Sequence, residues 1–135
     1  MNSDFLFNIR AELEEILADC ATEDWNGYDA APVTRESVEK TLAFCSLLSE
    51  DELPDFGPCC WGGISMEWYI SKENWFAVSI LDNGELIYSW LNTKDGNRTG
   101  EFVFDGAKIP DEIKEIIELL KLKESAQDSS KTCEL

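Results

Sequence analysis

Apolar positions along this chain recur first at helical spacing, then alternate, and return to helical spacing towards the end. Leu6, Ile9, Leu13, Ile16, Leu17 and Cys20 follow steps of three and four, which predicts an amphipathic helix with Glu12, Glu15 and Asp19 on another face. Ser3 is its expected N-cap, and Asp4 suits the positive end of the helix dipole. Thr22 to Asp29 reads as a loop around an Asn26-Gly27 turn signal. Thr34 is the expected N-cap of a second helix, with Val38, Thr41, Leu42, Cys45 and Leu48 as its buried stripe. Pro54 and Pro58 mark the next segment as an extended linker, because proline fixes φ and restricts the residue before it.

From Gly63 the period becomes two. Ile64, Met66, Trp68 and Ile70 alternate with Ser65, Glu67, Tyr69 and Ser71, the pattern of a half-buried strand. Phe76, Val78 and Ile80 continue it after a turn at Lys72-Glu73-Asn74. Leu86, Tyr88 and Trp90 follow the hairpin signal Asp82-Asn83-Gly84, where Asn and Gly tolerate positive φ. A loop at Lys94-Asp95-Gly96-Asn97 leads to a shorter fourth strand, Phe102 to Phe104. Pro110 suits the first turn of a last helix, with Ile113, Ile116, Ile117 and Leu120 towards the core and Lys121 and Lys123 at its end. Contiguous strands with segregated helices predict an α+β, two-layer domain over residues 1–124. It has a four-stranded antiparallel sheet, two N-terminal helices and one C-terminal helix. Residues 125–135 lack periodicity and read as a flexible tail.

Charge changes the picture most. Twenty-eight Asp and Glu face eleven Lys and Arg, with no histidine, for a formal charge of −17. A hydrophobic content of 44%, with five Trp and seven Phe, separates this chain from disordered acidic ones. Such a field repels nucleic-acid phosphates and anionic membranes and attracts basic protein faces. Residues 1–58 hold 14 of the acidic side chains and only 3 basic ones, so the field is concentrated there. Solubility alone needs a net charge of about 2–8, and the excess costs stability by self-repulsion. That tilts the reading from a solvated coat to an interaction surface.

Candidate chemistries are weaker. Glu67 and Glu101 fall on predicted strands, but with this many carboxylates some pairs arise by chance, and no nucleophile stands beside a base. The lack of histidine removes the commonest general base and metal ligand. No catalytic, cofactor-binding or metal-binding residue is therefore assigned. Cys59-Cys60 lacks the CxxC spacing of zinc or thioredoxin-type sites, and Cys20 and Cys45 fall on apolar helix faces as small hydrophobes. Five cysteines in all, behind an N-terminus without a basic, apolar leader, point to reduced thiols in a cytoplasm. Gly62-Gly63 precedes a strand with no Lys-Ser/Thr after it. It is better read as admitting the chain into a sheet beside bulky Trp61 than as a phosphate loop. Most aromatic rings belong in the core, while one or two exposed ones would anchor a protein partner. Base stacking is disfavoured, because residues 59–105 carry only three basic side chains.

Two stretches are more specific than composition. They are Trp25-Asn26-Gly27-Tyr28-Asp29-Ala30-Ala31-Pro32, and Pro58 with Gly62-Gly63-Ile64 and Glu67-Trp68. Together they resemble a family of small bacterial and phage proteins with W-N-G-Y-x-A-x-P and P-x-x-x-G-G-I-x-x-E-W motifs, the likeness spanning roughly residues 25–91. The resemblance implies a shared fold and a bacterial or phage setting. It carries no activity and no catalytic residues. Trp25 and Tyr28 around the Asn-Gly turn read as an aromatic clamp at the entry to the second helix.

The expected function is a non-enzymatic inhibitor occupying the basic, nucleic-acid-binding face of another protein, such as an antitoxin or a phage blocker of the anti-CRISPR type. The partner is a basic nucleic-acid-binding effector or toxin, with no direct contact to nucleic acid or membrane. The residues expected to bind it are Glu12, Glu15, Asp19, Glu23, Asp24, Asp29, Glu50, Asp51, Glu52 and Asp55. Two alternatives stand beside it: a general interaction or immunity module whose acidity is incidental, and a carboxylate-dependent hydrolase.

Overall fold

A computed structural model describes residues 4–22, 25, 27, 31–94 and 96–121. The first helix, α1, runs Asp4–Asp19 and buries Ile9 and Leu13, with Cys20 just beyond its end. The second, α2, runs Arg35–Ser46. Thr34 caps it as expected: its backbone is extended and its side-chain oxygen accepts the Ser37 N–H at 3.2 Å. Val38, Thr41, Leu42, Phe44 and Cys45 lie buried along its inner face. Phe44 was not part of the expected stripe; it is fully buried, with its ring edge-on to Phe104. A short 3₁₀ turn, Glu50–Glu52, then leads into the sheet.

Among the described residues the sheet has five strands where the sequence pattern predicts four. They are β1 (Asp55–Cys59), β2 (Gly63–Ser71), β3 (Asn74–Ile80), β4 (Glu85–Asn92) and β5 (Arg98–Val103), in that order and all antiparallel. The added strand is the expected Pro54–Pro58 linker. Proline's fixed φ suits extended backbone, and an edge strand tolerates its missing N–H. Pro58 sits opposite Ile64 in such an edge strand. A three-residue connection, Cys60-Trp61-Gly62, closes the β1–β2 hairpin, with the Gly62 N–H on the Cys59 carbonyl and Gly62 at φ +96°. The last strand also differs from expectation, spanning Arg98–Val103 instead of Phe102–Phe104. Its polar first half shows no alternation because edge β5 is largely exposed on both faces.

The predicted alternation in the central strands holds. Ile64, Met66 and Trp68, then Phe76, Val78 and Ile80, then Leu86, Tyr88 and Trp90 are buried on one face. Their register partners match across strands, Met66 with Val78 and Val78 with Tyr88. Residues 111–121 form a third helix, α3. It opens with the Pro110 carbonyl accepting the Lys114 N–H and buries Ile113, Ile116, Ile117 and Leu120. The three helices and this sheet face share one core, which makes the domain α+β. Within the helical layer α2 lies over β2 and β3 while α1 packs on α2 and touches β1, so α1 occupies the β1 edge.

The Gly62-Gly63 pair admits the chain as expected. A Cβ on Gly63 would lie 2.1 Å from the Ile80 carbonyl oxygen. Trp25 donates its indole N–H to the Ala31 carbonyl at 2.7 Å, tying down the approach to α2. Ser3, Tyr28 and the tail 125–135 lie outside the described residues. Among the described residues, no helix is long and apolar enough to cross a membrane.

Candidate functional site

The expected binding residues divide into groups with different fates. Glu23, Asp24 and Asp29 lie outside the described residues. Glu12, Glu15 and Asp19 are exposed on α1. At about 100° per residue they fall within roughly 60° of one another around the helix, and roughly 150° from Arg10 and Glu14. That second side meets α2. Arg10 forks onto both oxygens of Glu39 at 3.0 and 3.1 Å, and Arg35 pairs with Glu14. Hydrogen bonding to Arg35 holds the Glu14 carboxyl below its usual range, and Arg10 does the same for Glu39. Two arginines and two glutamates thus neutralise the α1–α2 seam. The acidic side of α1 lies away from that seam. Among the described ion pairs, none involves Glu12, Glu15 or Asp19.

The turn after α2 is more tied down than its sequence suggests. The Ser49 backbone N–H donates to the Glu52 carboxylate at 2.8 Å, and the Ser49 hydroxyl donates to Asp51 at 2.6 Å. Lys121 of α3 then reaches Asp51 at 3.3 Å and Glu52 at 3.8 Å. The Ser49 hydroxyl and then Lys121 hold the Asp51 carboxyl below its usual range. Glu50 remains exposed, and Asp55 is exposed at the start of β1. The structure therefore brings Asp51, Glu52 and Asp55 together, and adds Glu67. All four line a cleft of about 150 Å³ with Tyr69, Lys121 and an apolar floor that includes Ile117 and Leu120. General-acid chemistry asks for a carboxyl whose pKa is pushed upward. Asp51 moves the other way.

A second cavity, of about 230 Å³, sits between the end of α2 and the start of α3, lined by Leu47, Leu48, Ile109 and Ile117 with Lys108 and Lys114 at its margin. Elsewhere the rings divide between core and surface, with several half-buried between them. Trp68 and Trp90 are buried and donate their indole N–H groups to the Glu52 carbonyl and the Asn74 side chain. Trp61, Tyr69 and Trp75 are 63%, 57% and 39% exposed. None of the three was among the expected binding residues, although the position of Tyr69 and Trp75 in the polar phase of β2 and β3 was a usable signal. Compared with protein-family models, curated proteins and solved structures, the chain matches none.

Proposed function

We propose that the chain is a non-enzymatic acidic inhibitor that occupies the basic, nucleic-acid-binding face of a partner protein. An antitoxin and a phage-encoded blocker of a bacterial defence complex are the settings this reading fits. One observation carries it: Glu12, Glu15 and Asp19 share one outward side of α1, apart from the arginine-neutralised seam with α2. Along the helix axis these carboxylates are separated by about 4.5 and 6 Å. That is the scale of phosphate charges along one nucleic-acid strand, about 3.4 Å apart along the axis. Held on a packed helix, the charges are placed before any partner arrives, so little side-chain ordering remains to oppose binding. The long-range field speeds association, and contacts at short range set how long the complex lasts.

A second reading rests on the exposed rings Trp61, Tyr69 and Trp75. Aromatic anchors dominate many protein interfaces, so a general binding module with incidental acidity is its alternative. Capture from bacterial lysate separates the two. The wild-type chain is compared with the combined variant Glu12→Lys, Glu15→Lys, Asp19→Lys, with and without excess duplex DNA. Charge mimicry expects a partner held by the wild type, displaced by DNA and lost by the variant. A partner that both proteins hold equally, and that DNA does not displace, would support the ring-centred module and remove the mimic.

A further inference from the structure

The helices cover one face of the sheet. The core draws only on residues of that face, so among the described residues the opposite face is bare. Register fixes its rows. Asp55, Glu67, Ala77, Ser89 and Thr99 run across the five strands, and Tyr69, Trp75 and Leu91 form the neighbouring row. Two features of this face are costly for a surface that meets only water. Asp55 stands directly opposite Glu67, and like charges facing each other destabilise a sheet. No Lys or Arg stands in that row to offset them. Next to them, Tyr69 and Trp75 expose much of their rings, 5.5 Å apart and nearly perpendicular.

We propose that this bare face receives an arginine side chain of a basic partner protein, its guanidinium stacked on Trp75 beside Tyr69 and bridging Asp55 and Glu67. The proposal rests on the basic-partner reading above and says how such a partner is gripped at short range. The occupant follows from charge and shape. Asp55, Glu67, Glu85 and Glu101 all fall on this face, and the strands place no basic residue there. A second copy would bring another −17 against it, and nucleic-acid phosphate is repelled for the same reason. Arginine suits the site better than lysine. Its planar, weakly hydrated head stacks on rings and forks onto carboxylates, whereas an ammonium is a strongly hydrated point charge. The aromatic and acidic rows are two residues apart along the strands, about 7 Å, within the reach of one such side chain. Lys121, seated against Asp51 and Glu52 in the cleft that Asp55, Glu67 and Tyr69 also line, shows a cation already held by this end of the molecule.

Deca-arginine and deca-lysine are the probes, since they match in charge and differ in head group. Dissociation constants are measured by calorimetry at low salt for the wild type and for Trp75→Ala, Glu67→Gln and Trp61→Ala. The expected result is a preference for arginine of roughly two- to fivefold, the size of an exposed cation–ring contact. Trp75→Ala and Glu67→Gln remove that preference, and Trp61→Ala, in the β1–β2 connection, keeps it. Glu67→Gln also guards against misfolding, because relieving the Asp55–Glu67 repulsion raises stability. If both peptides bind in a salt-dependent way but the preference survives Trp75→Ala and Glu67→Gln, the face is wrong while the basic-partner reading stands. If neither peptide binds at low salt, that underlying reading falls and this proposal with it.

Discussion

Replacing Gly63 with alanine tests how the sheet is built. An added Cβ there would lie 2.1 Å from the Ile80 carbonyl oxygen, 2.9 Å from its carbon and 2.9 Å from the Leu81 side chain. Two of those atoms are backbone, so relief requires the β2 and β3 main chains to separate by about 1 Å. Ile64 pairs with Ile80 at this end of the ladder, so separation strains one or two backbone hydrogen bonds as well as overpacking the core. Overpacking costs about 1–3 kcal/mol and each weakened bond about 0.5–1.5 kcal/mol, so the expected loss is roughly 1.5–6 kcal/mol. Urea unfolding followed by circular dichroism reads it. With a slope near 2 kcal/mol/M, the midpoint should fall by roughly 0.75–3 M. Gly62→Ala is the control. Its backbone is at φ +96°, and an added Cβ would lie 3.3 Å from the Pro32 carbonyl oxygen, a contact relieved by a few tenths of an ångström, so conformational strain of about 1–2 kcal/mol dominates. If Gly63→Ala costs no more than Gly62→Ala, the close-approach argument is refuted.

Other outcomes follow from single contacts. Thr34→Ala removes the cap of α2 and should cost about 0.5–2 kcal/mol in urea unfolding, with Thr34→Ser restoring most of it. Tyr88 donates its hydroxyl to the half-buried Glu112 carboxylate, so Tyr88→Phe should cost about 1.5–3 kcal/mol. Burial, then the bond to Glu112, pushes the Tyr88 phenol up to about 12 from its ordinary 10.0. A raised folded-state pKa means stability that is full below pH 10 and lost as pH rises through 12. Tyr88→Phe should therefore shrink the decline between pH 8 and pH 11 by about 1.4 kcal/mol. Burial also lifts the Cys45 thiol to about 12, so part of the alkaline decline remains in that variant. At the acid end the sign reverses. Glu14, Glu39 and Asp51 have lowered pKa values, so their stabilising pairs are complete above pH 4.5 and weaken as pH falls below it, a trend visible in thermal melts.

How far the sequence reveals this molecule depends on where each residue sits. The α1 stripe, the Thr34 cap, the inward faces of β2 to β4 and the α3 isoleucines were legible because each buries one face, which imposes a period on the chain. Gly84, at φ +87° in the Leu81–Glu85 turn, was legible from the Asp-Asn-Gly signal. The edges were not. Pro58 hid β1 by looking like a linker, and β5 is too exposed to alternate. Among the acids, exposure of Glu12, Glu15 and Asp19 followed from helical spacing. The tethering of Asp51 and Glu52 by Lys121 depends on α3 packing beside the 3₁₀ turn, and no local pattern encodes that. Asp55 facing Glu67 is likewise a matter of register between β1 and β2, invisible once β1 is read as a linker.

The central claim is that the acid excess forms an ordered recognition surface on α1 and the adjoining sheet. The most direct test measures the dissociation constant of a captured basic partner from about 50 mM to 1 M salt, where the screening length falls to about 3 Å. Wild type and the Glu12→Lys, Glu15→Lys, Asp19→Lys variant are compared. The account predicts steep weakening with salt for the wild type, carried largely by slower association, and at least tenfold weaker binding by the variant at low salt. A dissociation constant flat across that range, and equal in both proteins, would contradict it.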